Sequence, residues 1–149
     1  MSDVEVRTHS ALHVLKGAAV RVLGPCKTSS ARVRGQHGTL TLDSERNPTL
    51  EEVHAIEDAA NRKIAENSEV LQFEMERQEA EGHFGAAISG ASPDPNVTLL
   101  TILRIPDWEV DCCAERHVDT TGELGGLRID RAAFIAADRL LEIEFHLTA

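Results

Sequence analysis

The chain has 149 residues, 42% of them hydrophobic but only 3% aromatic, and fifteen basic against twenty-five acidic side chains give a net charge of −10. That length suits a single domain over 1–149 with a core of Leu, Val, Ile and Ala, and the charge disfavours indiscriminate nucleic-acid binding. No apolar run reaches membrane-spanning length, and the start, MSDVEVRTHS, lacks a basic-then-apolar leader, so no membrane association and a cytoplasmic location are expected.

Val4 and Val6 alternate with Asp3, Glu5 and Arg7, which predicts a short strand at 3–7. Thr8 then serves as the cap of a helix running to Leu23, with Leu12, Leu15, Ala19 and Val22 at core spacing and Gly24-Pro25 as its stop. Residues 31–42 read as a hairpin around Gly35-Gln36-His37-Gly38. Thr49 and Glu52 have the spacing of a capping box, opening a second helix that carries Val53, Ile56, Ala60 and Ile64 on one stripe as far as Asn67. A strand at 71–75, a short helix at 77–83 and a turn-rich loop at 89–96 follow.

Strands are expected at 97–103 and 108–113, parted by Pro106-Asp107. Alternation in the second puts Trp108, Val110 and Cys112 on one face and Glu109, Asp111 and Cys113 on the other, which makes Cys112 a core residue and Cys113 accessible. After TTGELGG at 120–126, Asp130 to Leu140 fits an alanine-rich helix, whereas the alternation of Leu127, Ile129, Arg131, Ala133 and Ile135 fits a strand; the strand over 127–135 is preferred because it pairs as a hairpin with 140–148. The fold class that results is α+β, one domain with a mostly antiparallel sheet and two main helices.

The chemistry concentrates in two segments. His9 and His13, four apart on a helix, point off the same side, and Cys113 and His117 can close a loop around one ion. Three imidazoles and a thiolate form a zinc-type ligand set. Three cysteines without an export signal fit free thiols or metal ligands better than a disulfide framework. A metalloprotease reading fails because the residue after the first histidine is Ser10, where that chemistry needs a glutamate. His37, His54, His83 and His146 show no partner spacing and read as surface or packing residues, and Cys26 as a small loop residue. Lys27, Arg32 and Arg34 form the basic cluster that breaks the acidic background, the expected landing site for RNA phosphates.

RTHSALHVLKGA, then Arg77-Gln78-Glu79-Ala80-Glu81 with Phe84-Gly85, Cys113-Ala114-Glu115-Arg116-His117 and Thr121-Gly122-Glu123-Leu124-Gly125, resemble the editing domain of alanyl-tRNA synthetase. Length and motif order resemble its short stand-alone form, the AlaX-type alanyl-tRNA editing proteins, with the editing region of threonyl-tRNA synthetase more distant. The resemblance implies the fold of those editing domains and a trans-editing hydrolase that deacylates mischarged tRNA(Ala), chiefly seryl-tRNA(Ala), with glycyl-tRNA(Ala) second. It also implies Zn2+ held by His9, His13, Cys113 and His117, and a substrate-reading threonine at Thr28. Where the family often has a bulky aromatic beside that threonine, this chain has Lys27, and TGELG replaces TGEIG.

Seryl-tRNA is an ester, and zinc polarises such a carbonyl or acidifies an associated water; no protein base is assigned. Four protein ligands close the coordination sphere, which leaves three routes open: expansion to five ligands, a labile ligand, or an ion that positions the substrate's amino group while a separate water attacks. A site that hydrogen-bonds the seryl hydroxyl rejects alanine because its own polar group would go unpaired, which is the part Thr28 would play. The rivals are a non-catalytic zinc-containing RNA- or partner-binding module of the same fold, and a metallohydrolase of another aminoacyl ester. Nothing in the sequence sets the oligomeric state.

Overall fold

One helix lies at the centre of the molecule. In the computed structural model, which describes residues 2–85, 88 and 96–148, α1 (Asp3–Leu23) is buried around most of its circumference, from Val6 through Leu12, Val14 and Leu15 to Ala19. Its start corrects the expected strand at 3–7. Ser2 Oγ accepts from the Glu5 backbone N–H at 3.2 Å while the Glu5 carboxylate turns back to the Ser2 N–H, a capping box that satisfies donors at the helix end. A five-residue alternation without a strand partner does not compete with that. Thr8, expected as the cap, lies inside the helix, where its hydroxyl donates to Val4 O and, at 2.7 Å, to Gly35 O.

Gly35 takes φ 59°, the left-handed conformation that the tight turn between β1 (Thr28–Arg34) and β2 (His37–Asp43) requires. β6 (Leu127–Ile135) and β7 (Leu140–Leu147) form the second hairpin, so 127–135 is a strand as expected. The four strands make an antiparallel sheet in the order β1-β2-β7-β6. Its inner face carries Leu40, Leu42, Leu141, Ile143, Phe145 and Leu147, all buried, and is covered by α1 and α2 (Leu50–Ala65). Burying side chains of this size contributes about 1.5–3 kcal/mol each. Gly38 pairs with Phe145, and a Cβ there would come within 2.5 Å of the ring, so only glycine fits.

The expected α+β class with antiparallel strands holds, and the strands fall into two sheets. β3 (Leu71–Glu76), β4 (Leu99–Ile105) and β5 (Glu109–Cys112) form a separate antiparallel sheet in that order, with α3 (Arg77–Phe84) packed against it. β4 lies two residues later than expected. Leu103 and Ile105 are buried in the main core, whereas Leu100 and Ile102 belong to a smaller cluster with Ala80 and Ile88. A strand covered on both faces has no polar alternation to mark its ends. The loop expected at 89–96 lies, apart from Asn96, outside the described residues. No described helix is long and apolar enough to cross a membrane.

Candidate metal centre

Four donors from two distant segments meet beside the N-terminal half of α1. His9 and His13 project from successive turns of the helix; Cys113 lies just past β5, tied to β4 by its backbone bond to Thr101 O at 3.0 Å. His117 sits in the loop beyond. Ser10, in the place of the glutamate a metalloprotease would need, is structural. Its hydroxyl donates to Val6 O and accepts from the Val118 N–H at 3.0 Å, fastening the residue after His117 to the helix. Gln72 on β3 closes the loop from the other side. Its amide nitrogen donates to the carbonyls of Cys113 and Glu115, and its Oε1 lies 3.2 Å from His117 Nδ1.

His9 Nε2 lies 3.3 Å from Cys113 Sγ, His13 Nε2 lies 3.2 Å from His117 Nε2, and one donor atom of each of the four residues falls within 4.8 Å of the others. Ligand bonds of roughly 2.0–2.3 Å in a tetrahedron put donors about 3.3–3.8 Å apart, so the spacing fits a zinc ion. The outward ring nitrogens fit as well. His9 Nδ1 faces Glu115 at 3.5 Å, His13 Nδ1 faces Glu109 at 3.7 Å and Asp111 at 3.8 Å, and His117 Nδ1 faces Gln72. Acceptors on that side favour the proton on Nδ1 and leave the Nε2 lone pairs pointing inward.

Charge is balanced inside the cluster. Burial raises the Cys113 thiol, but hydrogen bonds from His117, His13 and His9 outweigh it and pull the thiol down to about 3, so a thiolate stands ready as a ligand. Burial opposes the His13 imidazolium, yet bonds to Cys113 and Glu109 lift it to about 9, so a metal that takes the Nε2 lone pair displaces a proton from that nitrogen. Burial lowers His117 and pushes Asp111 up to about 6. Cys112 and Cys113 are both half-buried, which corrects the expected contrast between core and surface. β5 is an edge strand whose Cys112 and Val110 meet only the smaller cluster, while Cys113 and Trp108 pack on the main core.

A cleft of about 730 Å³ opens beside the cluster, sharing Glu109 and Asp111 with the surroundings of His13. Thr28 and Lys27 line it, together with Lys16, Arg21, Arg104 and Trp108. Arg32 and Arg34 stand outside that lining, exposed on β1. Arg21 is held in packing: its guanidinium lies 4.0 Å over the Trp108 ring and donates to Gly17 O and to Asp107 O. A second cleft, of about 560 Å³, takes in Lys27, Arg46 and Arg139 but not Thr28, and none of the four donors lines either cleft.

Sequence reading alone did not find Gln72, Lys16 and Arg104. Gln72 carries no local signal, and the two cations are scattered along the chain. The alternation of Glu109, Asp111 and Cys113 was visible, although not which histidine the carboxylates would face.

The chain is 33% identical over 141 residues to alanine–tRNA ligase of Metallosphaera sedula, covering 94% of this chain and 15% of the relative. It is 33% identical over 127 residues to the ligase of Thermococcus kodakarensis, covering 85% of this chain and 14% of that protein. The ligase of Staphylothermus marinus is 32% identical over 143 residues. No protein-family model matches the chain. The protein is thus a relative of a segment of alanyl-tRNA synthetase, as its resemblance to the editing domain implied, and spans about 15% of the length of the first of these ligases.

Proposed function

We propose that the protein hydrolyses the ester bond of mischarged tRNA(Ala), chiefly seryl-tRNA(Ala) and secondarily glycyl-tRNA(Ala), at a zinc ion held by His9, His13, Cys113 and His117. The observation that carries this reading is the convergence of three inward imidazole nitrogens and a thiolate beside a cleft lined by Thr28 and basic side chains. Similarity to alanine–tRNA ligases over 94% of the chain supports the choice of tRNA(Ala).

When bound, zinc supplies Lewis-acid polarisation of an ester carbonyl or acidification of a nearby water. The chain's own residues do the rest. Glu109 and Asp111 hold His13, and Gln72 holds His117, with their Nε2 atoms inward. The Thr28 hydroxyl, exposed on the cleft wall, hydrogen-bonds the seryl hydroxyl, which alanine cannot offer. Lys16, Lys27 and Arg104 meet the phosphates of the acceptor end. The closed four-donor set favours one second reading, a structural zinc in a non-catalytic RNA- or partner-binding module.

The test is to incubate zinc-loaded protein with seryl-tRNA(Ala), alanyl-tRNA(Ala) and seryl-tRNA(Ser) and follow amino-acid release. Selective hydrolysis of the first is expected. Equal loss of all three would make the protein a general esterase, and no hydrolysis would favour the binding module.

A further inference from the structure

On the sheet β1-β2-β7-β6, a second set of donors comes together independently of the first. β2 and β7 pair with His37 directly opposite His146, and the two rings lie 5.5 Å apart with 39° between their planes. On β6 the register shifts between Ile129 and Arg131, so Asp130 is an extra residue with no pairing partner on β7. A bulge of this kind re-aims a side chain. Here the two carboxylate oxygens of Asp130 lie 2.8 and 3.0 Å from His146 Nδ1. One ring nitrogen of each histidine and one oxygen of Asp130 fall within 4.8 Å of one another.

An Nδ1–H donated to Asp130 leaves the Nε2 of His146 as the lone-pair donor and fixes the ring's orientation, as carboxylates do behind metal-bound histidines. His37 is exposed beside the Gly35-Gln36 turn, so its ring can rotate to complete a pair. Two nitrogens bound to one first-row ion are at most about 4.2 Å apart, a small adjustment for an exposed side chain. Imidazole pairs suit Ni2+, Cu2+ and Zn2+, whereas Mg2+ and Ca2+ require oxygen ligands. Arg128, opposite His146 on β6, adds a positive charge that the Asp130 carboxylate offsets.

We propose that His37 and His146, the latter oriented by Asp130, form a second divalent transition-metal site on the sheet surface, separate from the centre at His9, His13, Cys113 and His117. Its remaining coordination positions face solvent.

The experiment titrates Ni2+ into the zinc-loaded full chain, followed by calorimetry and by NMR of the histidine ring signals. One Ni2+ per chain beyond the resident zinc is expected, with the His37 and His146 signals broadened and those of His54 and His83 unmoved. His37→Ala and His146→Ala should each abolish measurable binding, and Asp130→Asn should weaken it about tenfold or more. Absence of that additional Ni2+ in the wild type would overturn the proposal, as would binding that survives in His37→Ala or broadening centred on His54 or His83. The wild-type NMR map reads the site without any substitution, so the proposal does not depend on how the variants fold.

Discussion

His13 Nε2 and His117 Nε2 face each other at 3.2 Å although 104 residues separate them. Two lone pairs cannot point at one another across that distance without a proton or a cation between them. The buried position of His13, 7% exposed, makes the arrangement costly to leave uncompensated. His13→Ala should therefore lose zinc and, relative to the zinc-loaded wild type, destabilise the fold by about 2–4 kcal/mol. Metal content and chemical denaturation check this together; the zinc-chelated wild type should move toward the variant.

The groups behind the donors should matter nearly as much. Glu109→Leu and Gln72→Leu each remove an acceptor from an outward Nδ1, and each should weaken zinc binding about 10–100-fold, read by competition with a chromophoric chelator. Equal affinity in all three proteins would mean that the rings are held by packing alone.

Thr28→Val preserves shape and removes a hydroxyl. If that hydroxyl reads serine, the ratio of seryl-tRNA(Ala) to alanyl-tRNA(Ala) hydrolysis should fall about tenfold, the worth of one hydrogen bond, with zinc content unchanged. A ratio that does not move would assign Thr28 to the hairpin edge only.

Charge reversal separates the two basic regions. Arg104→Glu, in the cleft, should raise KM for tRNA and flatten its dependence on salt, because each lost phosphate contact removes released counterions. Arg32→Glu, exposed on β1 outside that cleft, should do so far less. The reverse ranking would place the acceptor end on the hairpin.

The N-terminus of α2 contains a pH-dependent element. Arg46 meets Glu52 at 2.6 and 2.7 Å and the Thr49 N–H adds another bond at 2.9 Å, holding the carboxyl down to about 2 from an ordinary 4.5. A depressed folded-state pKa contributes stability that is present above 4.5 and is lost as pH falls toward 2. The gap in stability between wild type and Glu52→Gln should be constant well above pH 4.5 and narrow steadily toward pH 2; a gap undiminished at pH 2 would overturn the assignment.

The amino-acid sequence by itself determined what local pattern can encode. Thr49 and Glu52 mark a helix start because their reciprocal bonds need only three residues of spacing. The alternation from Leu141 to Leu147 marks a half-buried strand, since successive side chains point to opposite faces. His9 and His13 read as a pair because helical geometry alone brings them together, and residue types made Cys113 and His117 their partners. Where local signals were incomplete, reading failed: the alternation at 3–7 concealed a helix whose cap, Ser2, lies outside the alternating stretch.

What the tertiary structure decided are the relationships between remote segments. Which hairpins join into one sheet is decided by the pairing of β2 with the remote β7, which leaves no mark within either strand. Gln72 reaches His117, and Glu109 with Asp111 reaches His13, through packing that no spacing records. His37 and His146, unremarkable apart, become opposite residues only when β2 pairs with β7, and Asp130 joins them only because a bulge shifts the register by one residue. Chemistry carried by neighbours in the chain is legible in order; chemistry carried by neighbours in space depends on the register and packing that folding selects.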